Sequence, residues 1–215
     1  MKKEKTHITI ILDKSGSMGS CLNDTIGGFN TFLKAQRELE GTATMTLVQF
    51  NGHYDVISDM APLSDTGELT NKNYVPNGGT ALLDAIGRTI NNVESKINDM
   101  AKKSRPEKVI FVIITDGEEN ESVEFTKDQI MQMINAHRDE QKWEFVFIGA
   151  NQDAIQAGGD IGVRAKSTLS YEASSAGTST MYTCLTKSMS TYRSASRSVD
   201  ESLKMGFFSN EEDEK

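Results

Sequence analysis

Asp13-Lys14-Ser15-Gly16-Ser17 places a carboxylate and two hydroxyls at alternate positions, directly after the apolar run Ile8-Thr9-Ile10-Ile11-Leu12. A buried strand therefore ends where an oxygen-rich loop begins, and such a loop can offer ligands to a hard divalent cation. Two further segments carry oxygen donors in the same kind of place. Asn77-Gly78-Gly79-Thr80 sets a hydroxyl at the start of an amphipathic stretch, and Asp116 follows the apolar run that ends at Thr115. Together the three loops supply two carboxylates and three hydroxyls, a donor set suited to Mg2+, Mn2+ or Ca2+. Zinc suits it poorly on donor type, because neither Cys nor His belongs to the set. His7, His53 and His137 are scattered and show no His-Glu-x-x-His spacing.

The elements needed to bring these loops together are visible in the hydrophobic pattern. Residues 7–13 form a first strand, and residues 22–40 a helix with Ile26, Phe29, Phe32, Leu33 and Leu39 near helical spacing, closed by Gly41. Residues 44–51 alternate with period two, Asn51-Gly52 is a hairpin turn, and residues 54–58 return as an antiparallel edge strand. The polar, turn-rich segment 62–76 reads as a surface connection. A helix over residues 81–103 buries Leu82, Leu83, Ile86, Ile90, Val93 and Ile97. Residues 108–115 are almost unbroken in apolarity, as a central parallel strand covered on both faces requires. A helix at 126–137 leads to a strand at 143–150, after which Asp153 either caps a helix or joins the site's rim. Residues 166–198 are rich in Ser and Thr, but Met181, Leu185, Met189, Tyr192 and Val199 recur at helical spacing from about Thr178.

This alternation is the α/β signature. In an open α/β sheet, ligands bind outside the carboxyl ends of the strands where the strand order reverses. Asp13 and Asp116 each end a strand, so parallel neighbours would bring them to one crevice. The domain reading is a single unit over 1–205, with a core at 6–150, a strand/helix extension at 151–205, and an acidic flexible tail at 206–215.

Bulk properties narrow the function further. With 25% charged and 37% hydrophobic residues, the 215-residue chain reads as globular, and its net charge of −8 disfavours nucleic acid and anionic membrane surfaces while suiting a cation. Its two cysteines, Cys21 and Cys184, are no disulfide framework. The apolar run after the basic N-terminus is too short for a signal segment, and no stretch approaches the ~20 apolar residues of a membrane span. The expectation is a cytoplasmic protein.

Asp13-x-Ser15-x-Ser17, the Gly-Gly-Thr80 loop and the strand ending Thr-Asp116-Gly resemble the von Willebrand factor A domain and its metal-ion-dependent adhesion site, in order, spacing and strand context. Asp-x-Ser-x-Ser alone is an ordinary turn sequence; the five positions together are specific. The resemblance implies a Rossmann-like three-layer α/β/α sandwich with a mostly parallel central sheet and one antiparallel edge strand. It implies metal ligation by Asp13, Ser15, Ser17, Thr80 and Asp116, with Ser15 and Ser17 binding directly and Asp13 anchoring the site. The cofactor implied is Mg2+ (or Mn2+ or Ca2+), and the partner a protein offering an Asp or Glu to the metal. A stand-alone bacterial or phage protein of this type would work with an ATPase or a stress-response complex.

The rival classes are a metal-dependent hydrolase or phosphatase and a purely structural metal domain. The sequence has no Gly-x-Ser-x-Gly elbow, no phosphate-binding P-loop and no dinucleotide fingerprint. An aspartyl-phosphate enzyme would want an acid two residues after Asp13, where Ser15 stands. No catalytic residues are expected. Glu118, Glu119 and Glu121 read as an exposed acidic loop bordering the metal.

Overall fold

The structure, a computed structural model, describes residues 5–150, 153–195 and 205–208. Among these described residues the six strands are β1 (Lys5–Asp13), β2 (Thr42–Phe50), β3 (Tyr54–Pro62), β4 (Lys108–Thr115), β5 (Glu144–Ala150) and β6 (Thr168–Tyr171). They form one sheet in the order β3-β2-β1-β4-β5-β6. Every pairing is parallel except β2 with β3. From β1 the chain first builds outward through β2 and β3, then crosses to β4, β5 and β6 on the other side. The order thus reverses between β1 and β4, and there the carboxyl ends of two adjacent parallel strands leave room for a site.

Among the described residues five helices cover the sheet: α1 (Leu22–Glu38), α2 (Leu82–Asp99), α3 (Lys127–Gln141), α4 (Ala154–Asp160) and α5 (Ser175–Ser194). The two-residue period of the strands sorts their side chains between two cores. Ile8, Ile10 and Leu12 of β1 join Ile110, Val112 and Ile114 of β4 against Phe29 and Phe32 of α1 and Met181, Leu185 and Met189 of α5. Ile11, Phe111, Ile113, Phe145 and Phe147 face the other way, against Ile86 and Ile90 of α2 and Ile130 and Ile134 of α3. Burial on both faces is why β4 carries no polar alternation. It is a three-layer Rossmann-like α/β/α arrangement with one antiparallel edge strand.

Four local features depart from the sequence reading. Segment 62–76 is not a mere surface connection: Leu63, Leu69 and Tyr74 enter the core beside α1. The hairpin after β2 forms, but Gly52 has no positive φ; the Asn51 N–H donates to His53 O at 3.0 Å, and Asn51 Oδ1 accepts the His53 N–H at 2.7 Å. β3 runs to Pro62, with register shifts on either side of Leu47 and a positive φ of 48° at Met60. β6, four residues within the Ser/Thr-rich stretch, pairs with β5, and α5 begins at Ser175, where Ser174 Oγ accepts the Gly177 N–H at 3.1 Å.

The end of the sheet away from the strands' carboxyl termini holds buried polar anchors. Lys108 Nζ donates to the carbonyls of Tyr192 (3.0 Å) and Ala195 (2.8 Å), closing the C-terminus of α5. Glu144 is buried; its Oε1 accepts from Ser167 Oγ at 2.6 Å, and its Oε2 has no hydrogen-bond partner among the described residues. Burial pushes its pKa up to about 7. His7, buried between the hydroxyls of Thr44 and Thr9, is pushed down by burial to about 3. Phe207, placed by sequence in the tail, is buried against the Tyr192 ring with centroids 6.1 Å apart. Val199 and residues 209–215 lie outside the described residues. Among the described residues no helix is long and apolar enough to cross a membrane.

Candidate metal centre

Asp13 ends β1 fully buried. Its Oδ1 accepts the Ser15 N–H at 2.6 Å, and its Oδ2 accepts the Thr115 hydroxyl of β4 at 2.6 Å. The carboxylate therefore ties its own loop to the neighbouring strand. Tyr74, buried from the segment read as surface, donates its hydroxyl to the Asp13 carbonyl at 2.6 Å. The chain then turns through a 3-10 segment, Gly16–Cys21, which buries Met18 and Cys21 and leaves Ser17 exposed. Ser15 Oγ and Ser17 Oγ are hydrogen-bonded at 3.1 Å, and Ser17 Oγ donates to Asp116 Oδ1 at 2.6 Å.

Thr80 arrives from a loop stitched to the other two. Gly78 adopts φ +72°, a conformation only glycine takes readily, and its carbonyl accepts the Gly16 N–H at 3.0 Å. The Asn77 N–H donates to Lys14 O at 2.9 Å, and the Ala81 N–H to Asn51 O at 3.0 Å. Asn51 Nδ2 donates to Asn77 O at 2.8 Å, so the residue read only as a hairpin turn also braces the Thr80 loop.

On the far side, the Asn120 N–H donates to Thr80 O at 3.1 Å, and Asn120 Oδ1 accepts the Thr80 N–H at 2.9 Å. Glu119 is half-buried, not a solvated charge. Its carboxylate accepts the Leu83 N–H at 3.0 Å in the first turn of α2 and the Ser122 hydroxyl at 2.7 Å. Asp84 accepts the N–H groups of Val123, Glu124 and Phe125 at 2.9–3.0 Å. Burial raises the Asp84 pKa, but those three donors and Arg88 outweigh it, leaving the group below the usual range. Glu118 and Glu121 remain exposed, as read from the sequence.

These contacts converge on one position. A Cβ built on Gly117 would lie 3.0 Å from Thr80 Oγ1, 3.7 Å from Asp13 Oδ2 and 3.7 Å from Ser15 Oγ. The structure thus brings Asp13, Ser15, Ser17, Thr80 and Asp116 together around a small oxygen-lined space beside Gly117. Asp13, Ser15 and Thr80 are buried and form its floor; Ser17 is exposed and Asp116 half-buried at its mouth. Burial raises the pKa of both Asp13 and Asp116. Among the described residues neither has a basic partner, and their hydrogen bonds come from hydroxyls and N–H groups. Two desolvated carboxylates beside three neutral hydroxyls fit a divalent cation, which would offset their charge. No group of three or more His, Cys, Asp or Glu able to hold a metal occurs among the described residues, so any ion here depends on the hydroxyls. Sequence reasoning missed Tyr74, Asn51, Asn120 and Asp84; each acts through contacts between segments distant in sequence.

Fold and site define a Rossmann-like α/β domain whose switch-point loops carry a hard-cation donor set. The chain belongs to the von Willebrand factor type A domain family, whose family model matches residues 7–183. Among solved structures it is similar to the von Willebrand domain of the type V pili tip protein Mfa5 from Porphyromonas gingivalis, with TM-score 0.66 and 10% identity, over 92% of this chain and 99% of that one. It is similar also to proximal thread matrix protein 1 from the mussel byssus with a zinc-occupied MIDAS motif (TM-score 0.62, 15% identity, 84% of this chain and 47% of that one). A third is the ArnB paralog VWA2 from Sulfolobus acidocaldarius (TM-score 0.57, 15% identity, 86% of this chain and 45% of that one). The match therefore spans just under half of the mussel and Sulfolobus chains. At such identities the likeness is one of fold. No curated protein sequence matches the chain.

Proposed function

We propose that this domain is a divalent-cation-dependent interaction module that takes an acidic side chain of another protein at a complete metal-ion-dependent adhesion site formed by Asp13, Ser15, Ser17, Thr80 and Asp116. The observation that carries the reading is the convergence of Thr80, Asp13 and Ser15 oxygens on the one position beside Gly117. When bound, the cation supplies a Lewis-acidic position for a partner's Asp or Glu. The protein's residues divide the remaining work. Both Asp13 oxygens already accept hydrogen bonds, so Asp13 fixes the Ser15 loop against β4. Ser15, Ser17 and Thr80 contribute neutral oxygens, which leave much of a dication's charge uncancelled and available to an outside carboxylate. Asp116 and Ser17 stand at the solvent-facing mouth, where a partner would arrive.

Mg2+ is the proposed ion, with Mn2+ and Ca2+ as alternatives. The zinc-occupied motif of the mussel protein makes Zn2+ a necessary fourth arm of any test, although the donor set here is all oxygen. No turnover is proposed: the polar groups of the cluster hold or brace one another.

Thermal melts in EDTA and in each metal, together with partner capture from lysate in Mg2+ or EDTA, test the proposal. The expected result is a metal-dependent rise in melting temperature, absent in Asp116→Ala and Thr80→Ala, and a set of captured proteins lost with EDTA and in both variants. Melting and capture indifferent to metal and to both substitutions would sink it. Metal-dependent melting without metal-dependent capture would leave only a structural ion.

A further inference from the structure

Beside the metal position lies a groove of about 410 Å3, bounded by α2, α4 and the loop after β4. Gly117, which brackets the metal position, also lines this groove, so the two are contiguous. Its floor is apolar: Leu82, Leu83, Phe147 and Ile161 line it and are themselves buried. Its polar lining includes four carboxylates, Glu118, Glu119, Asp153 and Asp160, against one ammonium, Lys127. Lys127 is held by Asp160 at 3.1 Å. Asp153 accepts the N–H groups of Ile155 and Gln156, and Glu119 accepts that of Leu83.

An acidic groove next to a site for an acidic residue poses an electrostatic conflict. A bare carboxylate approaching Gly117 meets Glu118 at once, and like charges brought together at an interface disfavour binding. A partner segment that carries its own cation removes the conflict. A long basic side chain matches the groove in both respects, with an apolar stem for the floor and a charged head for the walls.

We propose that this groove is a specificity subsite for an arginine or lysine side chain on the same partner segment whose carboxylate reaches the metal. The inference rests on the metal-site reading for its pairing with a carboxylate, but the groove's own affinity is separable from it. The recognised element is then an acid with a nearby base, and an acid flanked by further acids is rejected.

Amide chemical shifts of the full chain test the subsite without any metal. Acetyl-argininamide, which has no carboxylate, is titrated in EDTA beside the uncharged acetyl-norleucinamide. Acetate is titrated separately with and without Mg2+ to report on the metal site. The expected result is acetyl-argininamide binding with a Kd on the order of 1–10 mM, with shifts centred on Leu83, Gly117, Glu119, Gln156 and Ala157. It should weaken roughly fivefold or more in Glu118→Gln/Asp160→Asn, whose spectrum also reports that the fold is intact. Norleucinamide should shift these amides far less. Equal effects of the two probes, shifts located elsewhere, or no shift up to about 20 mM would overturn the subsite. Mg2+-dependent acetate shifts beside a silent groove would leave the metal reading standing alone, and arginine binding without acetate binding would do the reverse.

Discussion

Glu144→Gln should make the protein more stable at neutral pH and leave it unchanged at acid pH. Glu144 opens β5, fully covered, with one carboxylate oxygen on Ser167 and the other unpartnered among the described residues. Burial moves its pKa from 4.5 to about 7, against the Ser167 hydrogen bond and the charges of Arg164 and Arg138, which pull the other way. Between those two values the folded chain holds a proton that the unfolded chain has released. Stability from this group is therefore complete below pH 4.5 and is lost as pH rises to 7. Going from 4.5 to about 7 at about 1.4 kcal/mol per pH unit gives ~3 kcal/mol. His7 works in the opposite sense: with its pKa lowered from 6.5 to about 3, it costs stability as pH falls below 6.5. The two slopes oppose each other between pH 4.5 and 6.5, so the wild-type profile alone conceals both. Subtracting it from that of Glu144→Gln removes His7 and the carboxylates Asp13 and Asp116 of the candidate site. Urea unfolding in EDTA, followed by the fluorescence of the single buried Trp143, provides the measurement. The difference should climb by ~3 kcal/mol from pH 4.5 to 7.5. A difference that stays flat across that range would refute the account of Glu144 as a buried, proton-holding group.

Other consequences follow from single contacts. Tyr74→Phe removes the hydroxyl that holds the Asp13 carbonyl, and should cost about 1–3 kcal/mol in urea unfolding while weakening Mg2+ binding in a calorimetric titration. Gly28→Ala would set a methyl 2.2 Å from Cδ2 of the buried Tyr182 ring, forcing α1 and α5 apart; a loss of about 1–3 kcal/mol is expected, read as a lower melting temperature. Asp84→Ala strips three N–H groups of their acceptor and should raise amide hydrogen exchange at Val123, Glu124 and Phe125 well before any change in β1 or β4.

How much of this was legible in the sequence depended on whether a signal was local. β4 announced itself because a strand covered on both faces is apolar throughout, β1 because Ile8, Ile10, Ile11 and Leu12 dominate it despite the buried Thr9, and α2 because its buried stripe keeps one period. Asp13, Thr80 and Asp116 stood out because each lies at the end of an apolar strand or just before an amphipathic helix, and Ser15 and Ser17 because they alternate with Asp13 in the loop that follows. Leu63, Leu69 and Tyr74 were not, since isolated apolar residues in a polar stretch carry no period, and their burial is decided by α1 and by Asp13, far away in sequence. A strand was expected somewhere in the 151–205 extension, but the sequence did not place it: Thr168-Leu169-Ser170-Tyr171 is short and Ser/Thr-rich, and takes its strand form from pairing with β5. Glu119 looked like one solvated charge among three, and only the position of the α2 N-terminus beside it makes it a cap.

The outer strand β3 bears on how such domains behave when crowded. A sheet edge is a template on which a second chain can polymerise. Here the template is spoiled: the register slips twice, Met60 kinks the strand with a positive φ, and the exposed Val56 and Ile57 stand between Asp55 and Asp59, paired with Lys14 and Lys96. Copies of this protein packed side by side therefore gain little by zipping their sheets together along β3. Edge-to-edge association is discouraged along this flank of the sheet.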